Sequence, residues 1–232
     1  MTDPKGPKPW IKVTKDGPYI ATGGIPLAQD IVVLGDDGEP ERWEKGPGYP
    51  QKESCGLCRC GASQKKPFCD GAHVASGFDG TETAPRTGTL ERAERTAGEE
   101  IDLTWSEELC EEARFCHAGD GAWGYAERSR EPEAKKKAVY QACACPSGSL
   151  TAWDKKTGRM IEPVLEPSIG LIESSEEGTS GPIWVKGRIP IESADGTEYE
   201  VRNRVTLCRC GQSQNKPFCD GTHIATGFKS GR

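Results

Sequence analysis

The chain has 232 residues, of which 34% are apolar, with 29 glycines, 17 prolines and 11 cysteines. This composition favours turns and short strands over long helices, and the small apolar share predicts a core reinforced by metals or disulfides. The net charge of −6 and the lack of a long basic run argue against a nucleic-acid partner, because phosphate binding needs a concentrated positive face.

Membrane and secretory signals are missing from the sequence. No apolar stretch reaches the length of about 18 residues that predicts a membrane span. The first five residues lack the charged and then apolar pattern of a signal peptide. We therefore expect a cytoplasmic protein with no membrane partner, in which clustered cysteines are more often metal ligands than disulfides.

The pattern of the first region, residues 1–80, predicts short strands followed by a cysteine-rich loop. Runs of β-forming residues occupy 9–13 and 30–34, and Asp37-Gly38 predicts a hairpin turn. Residues 58–73 offer a set of thiol and imidazole groups as metal ligands. These candidates are Cys58, Cys60, Cys69 and His73. Asp70 is placed to cap a short helix that would carry the histidine.

The middle region, residues 81–170, has a different pattern. Residues 105–115 predict a helix after the capping-box pattern of Thr104 and Glu107. A second helix is predicted over 131–140. Residues 149–153 and 159–161, joined by Thr157-Gly158, predict a hairpin.

The last region, residues 171–232, repeats the first. Residues 208–223 match residues 58–73 at 13 of 16 positions, and the match extends upstream to Gly-Pro pairs at 17–18 and 181–182. Each copy is therefore a whole structural unit, with strands predicted over 183–186 and 198–201. The repeated ligand candidates are Cys208, Cys210, Cys219 and His223.

Each copy presents Cys-x-Cys, then Cys, then His four positions later. Three thiolates and one imidazole suit a tetrahedral zinc ion or a two-iron cluster, and spacing does not choose between them. A zinc-stapled interaction module would be colourless, with about two zinc ions per chain. An iron–sulfur protein would be coloured and would contain acid-labile sulfide.

The full string Cys-x-Cys-x-x-Ser-x-x-x-Pro-x-Cys-Asp-Gly-x-His resembles the CDGSH iron–sulfur domain of the mitoNEET family. Both copies fit at every defining position except the one before the histidine, where Ala72 and Thr222 replace serine. The resemblance implies one 2Fe–2S cluster per copy. One iron would take the Cys-x-Cys pair, and the other would take the third cysteine and the histidine. It also implies that the copies form an internal pseudo-dimer within a monomer or a homodimer.

The resemblance further implies electron transfer or cluster transfer with pH-sensitive redox behaviour. An imidazole in place of a fourth thiolate makes the cluster less negative, which raises its reduction potential. Protonating that imidazole would release it from iron, so we expect faster cluster loss below a pH of about 6.5.

The middle region resembles single-cluster ferredoxins, which use Cys-x-x-Cys-x-x-Cys followed later by Cys-Pro. Here the three thiols are Cys110, Cys116 and Cys145, and Ala113 stands at the second position. A 3Fe–4S cluster, or a 4Fe–4S cluster with His117 or Cys143 as a substitute ligand, would fit. The alternative is a spacer that has lost its cluster. Cys55 has Val205 as its counterpart and is interpreted as incidental.

Together these patterns predict a mainly β protein with short helices, built of two small antiparallel units and a small α+β ferredoxin-like insert. The sequence contains no nucleotide-binding glycine loop and no nucleophile elbow. We therefore expect a protein that is not an enzyme and that serves a redox or cluster-acceptor protein as its partner.

Overall fold

The computed structural model describes residues 8–174 and 178–231. The signal-peptide expectation concerns the first five residues, which lie outside these ranges. The described chain is mainly β, as the sequence predicts, and its strands form three sheets. No helix among these residues has the length and apolarity needed to cross a membrane.

The first copy forms five strands and one short helix. Strands β1 and β2 alternate buried and partly exposed residues, and they turn the β-forming side chains of Ile11, Val13 and Tyr19 into the core. The hairpin between β3 and β4 turns at Asp37-Gly38, where Gly38 has a φ of 76°. The elements are β1 (Trp10–Val13), β2 (Tyr19–Thr22), β3 (Leu27–Leu34), β4 (Pro40–Gly48), β5 (Ser54–Leu57) and α1 (Ala72–Ala75).

The middle region is a sheet covered by two helices. The helix predicted over 131–140 and the hairpin predicted over 149–161 are both present. The elements are α2 (Thr89–Arg92), β6 (Glu94–Thr96), β7 (Ile101–Trp105), α3 (Gly121–Glu127), α4 (Pro132–Ala144), β8 (Leu150–Asp154) and β9 (Arg159–Ile161). Alanines on one face of α4 pack on β7 and β8 in a core of their own.

The helix predicted over residues 105–115 is wrong. The chain instead makes 3-10 turns at Glu107–Leu109 and Phe115–His117, joined by an irregular loop. Glu112 and Arg114 have φ values of 66° and 61°, which no right-handed helix allows. The apolar ends of the segment also pack in different cores, so one helical face could not serve both.

The second copy repeats the first with fewer strands. Its elements are β10 (Ser168–Ser174), β11 (Ser180–Lys186), β12 (Ile191–Glu192), β13 (Arg204–Leu207) and α5 (Thr222–Ala225). The strand predicted over 198–201 is wrong, because only a single bridge between Glu192 and Glu198 forms there. Tyr199 is buried by side-chain contacts instead: its ring meets Phe218 edge-on and its hydroxyl donates to Glu82.

The two copies share their sheets. One sheet has the order β12-β1-β2-β5 and the other has the order β13-β11-β10-β3-β4. Parallel pairing of β1 with β12 and of β3 with β10 joins strands from opposite ends of the chain. The main core, which includes Tyr19, Leu57, Ile183 and Leu207, lies between these sheets. Both cysteine loops leave this shared scaffold after equivalent strands, β5 and β13.

Candidate metal centres

The first motif, residues 58–73, brings its four predicted ligands together as two pairs. Cys58 Sγ and Cys60 Sγ lie 3.8 Å apart, and Cys69 Sγ lies 3.4 Å from His73 Nδ1. Two donors bound tetrahedrally to one metal are separated by about 3.5–3.8 Å when the metal–sulfur bond is about 2.3 Å. Each pair therefore has the spacing of two ligands on one metal.

The second motif, residues 208–223, has the same arrangement. Cys208 Sγ and Cys210 Sγ lie 3.7 Å apart, and Cys219 Sγ lies 3.4 Å from His223 Nδ1. Within residues 8–174 and 178–231, no three His, Cys, Asp or Glu side chains surround a single metal position. The donor set of paired thiols and one imidazole fits a two-iron cluster, in which each iron takes two protein ligands.

An aspartate and a glycine shape the turn that presents each histidine. The Asp70 carboxylate accepts hydrogen bonds from the backbone N–H groups of Gln64 and Ala72, which lower the pKa of that carboxyl. Gly71, with a φ of 87°, immediately precedes α1, and the Asp70 carboxylate accepts a hydrogen bond from the N–H of Ala72, the first helical residue, as predicted. Asp220 and Gly221 repeat this geometry in the second motif.

A buried arginine lies between the first two cysteines of each motif. Arg59 is 1% exposed and donates to the carbonyls of Thr14 and Gly80. Arg209 is 2% exposed and donates to two backbone carbonyls and to the Glu173 carboxylate. These hydrogen bonds anchor the Cys-x-Cys turn to the neighbouring backbone, and the Arg209 guanidinium also lies within electrostatic range of the His223 imidazole.

The two motifs differ in exposure. In the second motif His223 is 4% exposed and all three cysteines are buried. In the first motif Cys60, Cys69 and His73 are only partly buried. The difference continues into the helices, where Val74 is 78% exposed and its counterpart Ile224 is 41% exposed.

The protonation of the second motif suits metal binding. Burial, followed by the Arg209 guanidinium, lowers the pKa of His223 to about 4, so its imidazole is neutral at pH 7 and free to bind a metal. A hydrogen bond from Cys210 lowers the pKa of the Cys208 thiol to about 6. Burial raises the pKa of Cys219 well above its usual value, so a bound cation is needed to hold that thiol deprotonated.

The two cysteine loops touch each other. A Cβ added at Gly61 would lie 2.5 Å from the carbonyl oxygen of Cys210, and one added at Gly211 would lie 2.6 Å from that of Cys60. Tyr19 of the first copy also donates its hydroxyl to the carbonyl of Cys208. Only glycine permits this reciprocal approach, which brings the two motifs face to face.

The second motif also touches the middle region. A Cβ at Gly221 would lie 2.8 Å from Glu112 Cγ and 3.4 Å from the carbonyl oxygen of Cys110, whereas the space around Gly71 is open. Loop 110–116 therefore covers the second motif and accounts for its greater burial.

In the middle region, Cys110 and Cys116 each lie within electrostatic range of Cys145. Burial chiefly raises the pKa values of Cys110 and Cys116, each to about 12, and the nearby Cys145 thiol raises both further. The suggested substitute ligands point elsewhere: the Cys143 thiol donates to the carbonyl of Ile161 at 3.8 Å, and His117 is exposed. Cys55 lies in β5 and packs partly buried against the main core.

The sequence analysis missed two buried charged residues near the middle thiols. Glu111 is 3% exposed, and its Oε1 has no hydrogen-bond partner in the part of the chain that the structure describes. Arg204, from the second copy, is fully buried and donates to the carbonyls of Ala142 and Cys145 and to the carboxylate of Glu162. A charged residue beside a cysteine could have flagged Glu111, but no local signal connects Arg204 with a loop about 60 residues away.

Comparison with protein-family models finds three matching regions. Residues 16–74 and 180–224 match the model described as iron-binding zinc finger CDGSH type. Residues 96–155, between them, match the model described as divergent 4Fe-4S mono-cluster. Comparison with curated proteins and with solved structures gave no match. The order of the three regions is the one that the sequence motifs predict.

Proposed function

Since residues 16–74 and 180–224 match the CDGSH-type iron-binding model and residues 96–155 between them match the divergent 4Fe-4S model, we propose that the protein transfers electrons or clusters to another protein. It would hold one 2Fe–2S cluster in each CDGSH motif. The reciprocal contact of the two cysteine loops carries this proposal, because it brings two redox sites together inside one chain.

The residues divide between two irons in each motif. Cys58 and Cys60 would bind one iron of the first cluster, and Cys69 and His73 the other. The corresponding pairs in the second motif are Cys208 with Cys210 and Cys219 with His223. A bound cluster supplies one-electron chemistry. The spacing of 3.4–3.8 Å within every pair supports this division.

The protein's own charges set how readily a centre accepts an electron. An imidazole ligand at His73 or His223 adds no negative charge to its centre, and the Arg209 guanidinium lies within electrostatic range of His223. Both features raise a reduction potential relative to a four-cysteine site. The imidazole also takes up a proton in acid, which makes redox behaviour and cluster retention depend on pH.

The contact between loop 110–116 and the second motif supports a third centre in series with the other two. That centre would use Cys110, Cys116 and Cys145 to bind a 3Fe–4S or 4Fe–4S cluster. Electrons would then pass between the middle region and the first motif by way of the second. The partly exposed first motif would face the external partner, an unidentified redox or cluster-acceptor protein of the cytoplasm, and the chain would carry out no reaction on a substrate of its own.

Metal and sulfide analysis of the full chain, purified anaerobically, tests the proposal. We expect a red-brown protein with visible absorption and at least about four irons and four sulfides per chain, two of each from each CDGSH motif. Replacing Cys60 or Cys210 with alanine should each remove about two irons. A colourless protein with about two zinc ions per chain would instead support the zinc-stapled interaction module and would contradict electron transfer.

A further inference from the structure

One tyrosine of the first copy reaches into the cysteine loop of the second. Tyr19 lies in β2 and is 0% exposed, within the main core. Its hydroxyl oxygen lies 2.9 Å from the carbonyl oxygen of Cys208 and 3.0 Å from that of Pro217. The hydroxyl therefore donates into the motif that carries the second set of candidate ligands, although the two residues are 189 positions apart in the chain.

The ring of Tyr19 also contacts the first cysteine loop. The guanidinium of Arg59, which stands between the first two candidate ligands of the first motif, lies 5.5 Å from the centre of the Tyr19 ring. This distance is within the range of a cation–π contact. Tyr19 thus touches both motifs, with its ring on the first and its hydroxyl on the second, in a place that solvent does not reach.

The second copy does not return this contact. Tyr19 pairs with Leu57 where β2 meets β5. Ile183 pairs with Leu207, the counterpart of Leu57, where β11 meets β13, so Ile183 is the counterpart of Tyr19. An aliphatic side chain has no hydrogen-bond donor, and the carbonyl of Cys58 receives no equivalent bond from Ile183. The hydroxyl is therefore a difference between two motifs whose ligand pairs otherwise match.

A hydroxyl at this place changes the local charge around the second set of ligands. A carbonyl oxygen carries a partial negative charge, which disfavours an added electron nearby, and a donated proton offsets that charge. Hydrogen bonds, charge and solvent exposure around a cluster set its reduction potential. Cys208 is a candidate ligand and is 1% exposed, so the polarity of its own peptide group is little screened by water and bears on the metal that its thiol would hold.

We propose that Tyr19 is a positioning residue that raises the reduction potential of the second CDGSH centre, acting through its hydrogen bond to the carbonyl of Cys208. Because Ile183 offers no such bond to the first motif, the two centres of one chain differ in how readily they accept an electron. This inference rests on the clusters proposed for the two motifs, and its test separates the two.

Redox titration of the full chain, reconstituted with iron and sulfide, compares Tyr19→Phe with Tyr199→Phe. Tyr199 is the matched control, because its ring also packs on the second motif while its hydroxyl donates to Glu82. Each substitution is made in Cys60→Ala, which should leave only the second of the two CDGSH clusters, and in Cys210→Ala, which should leave only the first. The paramagnetic signal of the reduced 2Fe–2S cluster gives the ratio of reduced to oxidised centre at each applied potential.

Tyr19→Phe should lower that ratio for the second cluster by about threefold at a fixed potential, because one buried hydrogen bond is lost. The first cluster should be unchanged, since the phenylalanine ring keeps its contact with Arg59, and Tyr199→Phe should match its parent in both backgrounds. An unchanged second cluster in Tyr19→Phe, an equal shift in both clusters, or a shift in Tyr199→Phe would each overturn the proposal. A contact that only joins the copies would lower the unfolding temperature without moving the ratio, and that result would overturn it as well.

Fluorinated tyrosine keeps the test decisive if Tyr19→Phe fails to fold. Uniform replacement of tyrosine by 3-fluorotyrosine in the Tyr199→Phe chain keeps the hydroxyl of Tyr19 and makes it a more acidic and stronger donor. The ratio of reduced to oxidised second cluster should then rise while that of the first stays unchanged. A second cluster that does not respond, or a first cluster that responds equally, would overturn the proposal.

The proposed clusters and the role of Tyr19 fail in different ways. A wild-type chain that binds no iron would overturn the clusters and this inference with them. A wild-type chain with about two irons in each CDGSH motif, whose second cluster is insensitive to Tyr19→Phe, would overturn the role of Tyr19 alone.

Discussion

The two CDGSH motifs have the same candidate ligands and nearly the same sequence, yet they lie in different surroundings. The first is open around Gly71 and His73, whereas the second is closed over by loop 110–116 and has a buried His223. Identical local chemistry thus occurs once near solvent and once inside the protein. The comparison teaches that the repeated motif sets the pairing of the candidate ligands, while the neighbouring region sets how far solvent reaches them.

The largest difference should appear in the free energy of unfolding. It concerns the first residue of β5, Ser54, and the first residue of β13, Arg204. Arg204 is fully buried against Glu162 and the Cys145 loop, whereas its counterpart Ser54 is exposed and contacts only Thr22 among the described side chains. Arg204→Ala should lower the free energy of unfolding by about 3–5 kcal/mol, because it leaves buried partners uncompensated. Ser54→Ala should change it by less than about 0.5 kcal/mol.

Denaturant unfolding of both variants, with the metal content matched, measures this contrast. Equal small effects would mean that the second copy and the middle region are not joined through Arg204.

The next difference should appear in acid. The lowered pKa of His223, about 4, keeps its imidazole neutral where a free histidine with a pKa of about 6.5 is already charged. Unfolding would let this imidazole bind a proton between these two pH values. The stability linked to His223 is therefore full above pH 6.5 and is lost as the pH falls towards 4. Between these values the partly exposed first motif should lose its cluster at least about tenfold faster than the second.

Single-motif variants isolate the two rates. Cys210→Ala should leave only the cluster proposed for the first motif and Cys60→Ala only the one proposed for the second, and the decay of visible absorption at pH 5 would give each rate. His73→Cys in the Cys210→Ala background should slow the decay, because a thiolate replaces the imidazole. Equal rates for the two motifs, or no effect of His73→Cys, would show that histidine exposure does not control acid release.

The smallest difference should appear at Gly71 and Gly221, the glycines that immediately precede α1 and α5. Both have a left-handed backbone, so alanine at either position costs about 1–2 kcal/mol. Gly71 has open space around it, whereas a Cβ at Gly221 would lie 2.8 Å from Glu112 Cγ. Gly221→Ala should therefore cost about 1 kcal/mol more than Gly71→Ala. Thermal unfolding of the two variants measures the two stability costs. Equal costs would indicate that loop 110–116 moves aside for the added methyl group without a loss of stability.

The sequence predicted what depends on local pattern. The paired ligands, the Asp-Gly turns before the histidines and the helix at α4 each follow from neighbouring residues, and all three are present. The helix expected over 105–115 failed because its apolar residues serve two separate cores, which a capping-box pattern does not encode. Glu111 and Arg204 became visible only when the fold brought distant segments to the Cys145 loop, because their importance lies in burial and not in spacing.

The reciprocal approach of Gly61 to Cys210 and of Gly211 to Cys60 has a consequence for how the protein behaves on dilution. When two halves of a symmetric pair are separate molecules, their association weakens as the protein becomes scarce. Here the intervening chain keeps the local concentration of each half at the other high and constant. The two cysteine loops would therefore remain partners even at a few copies per cell.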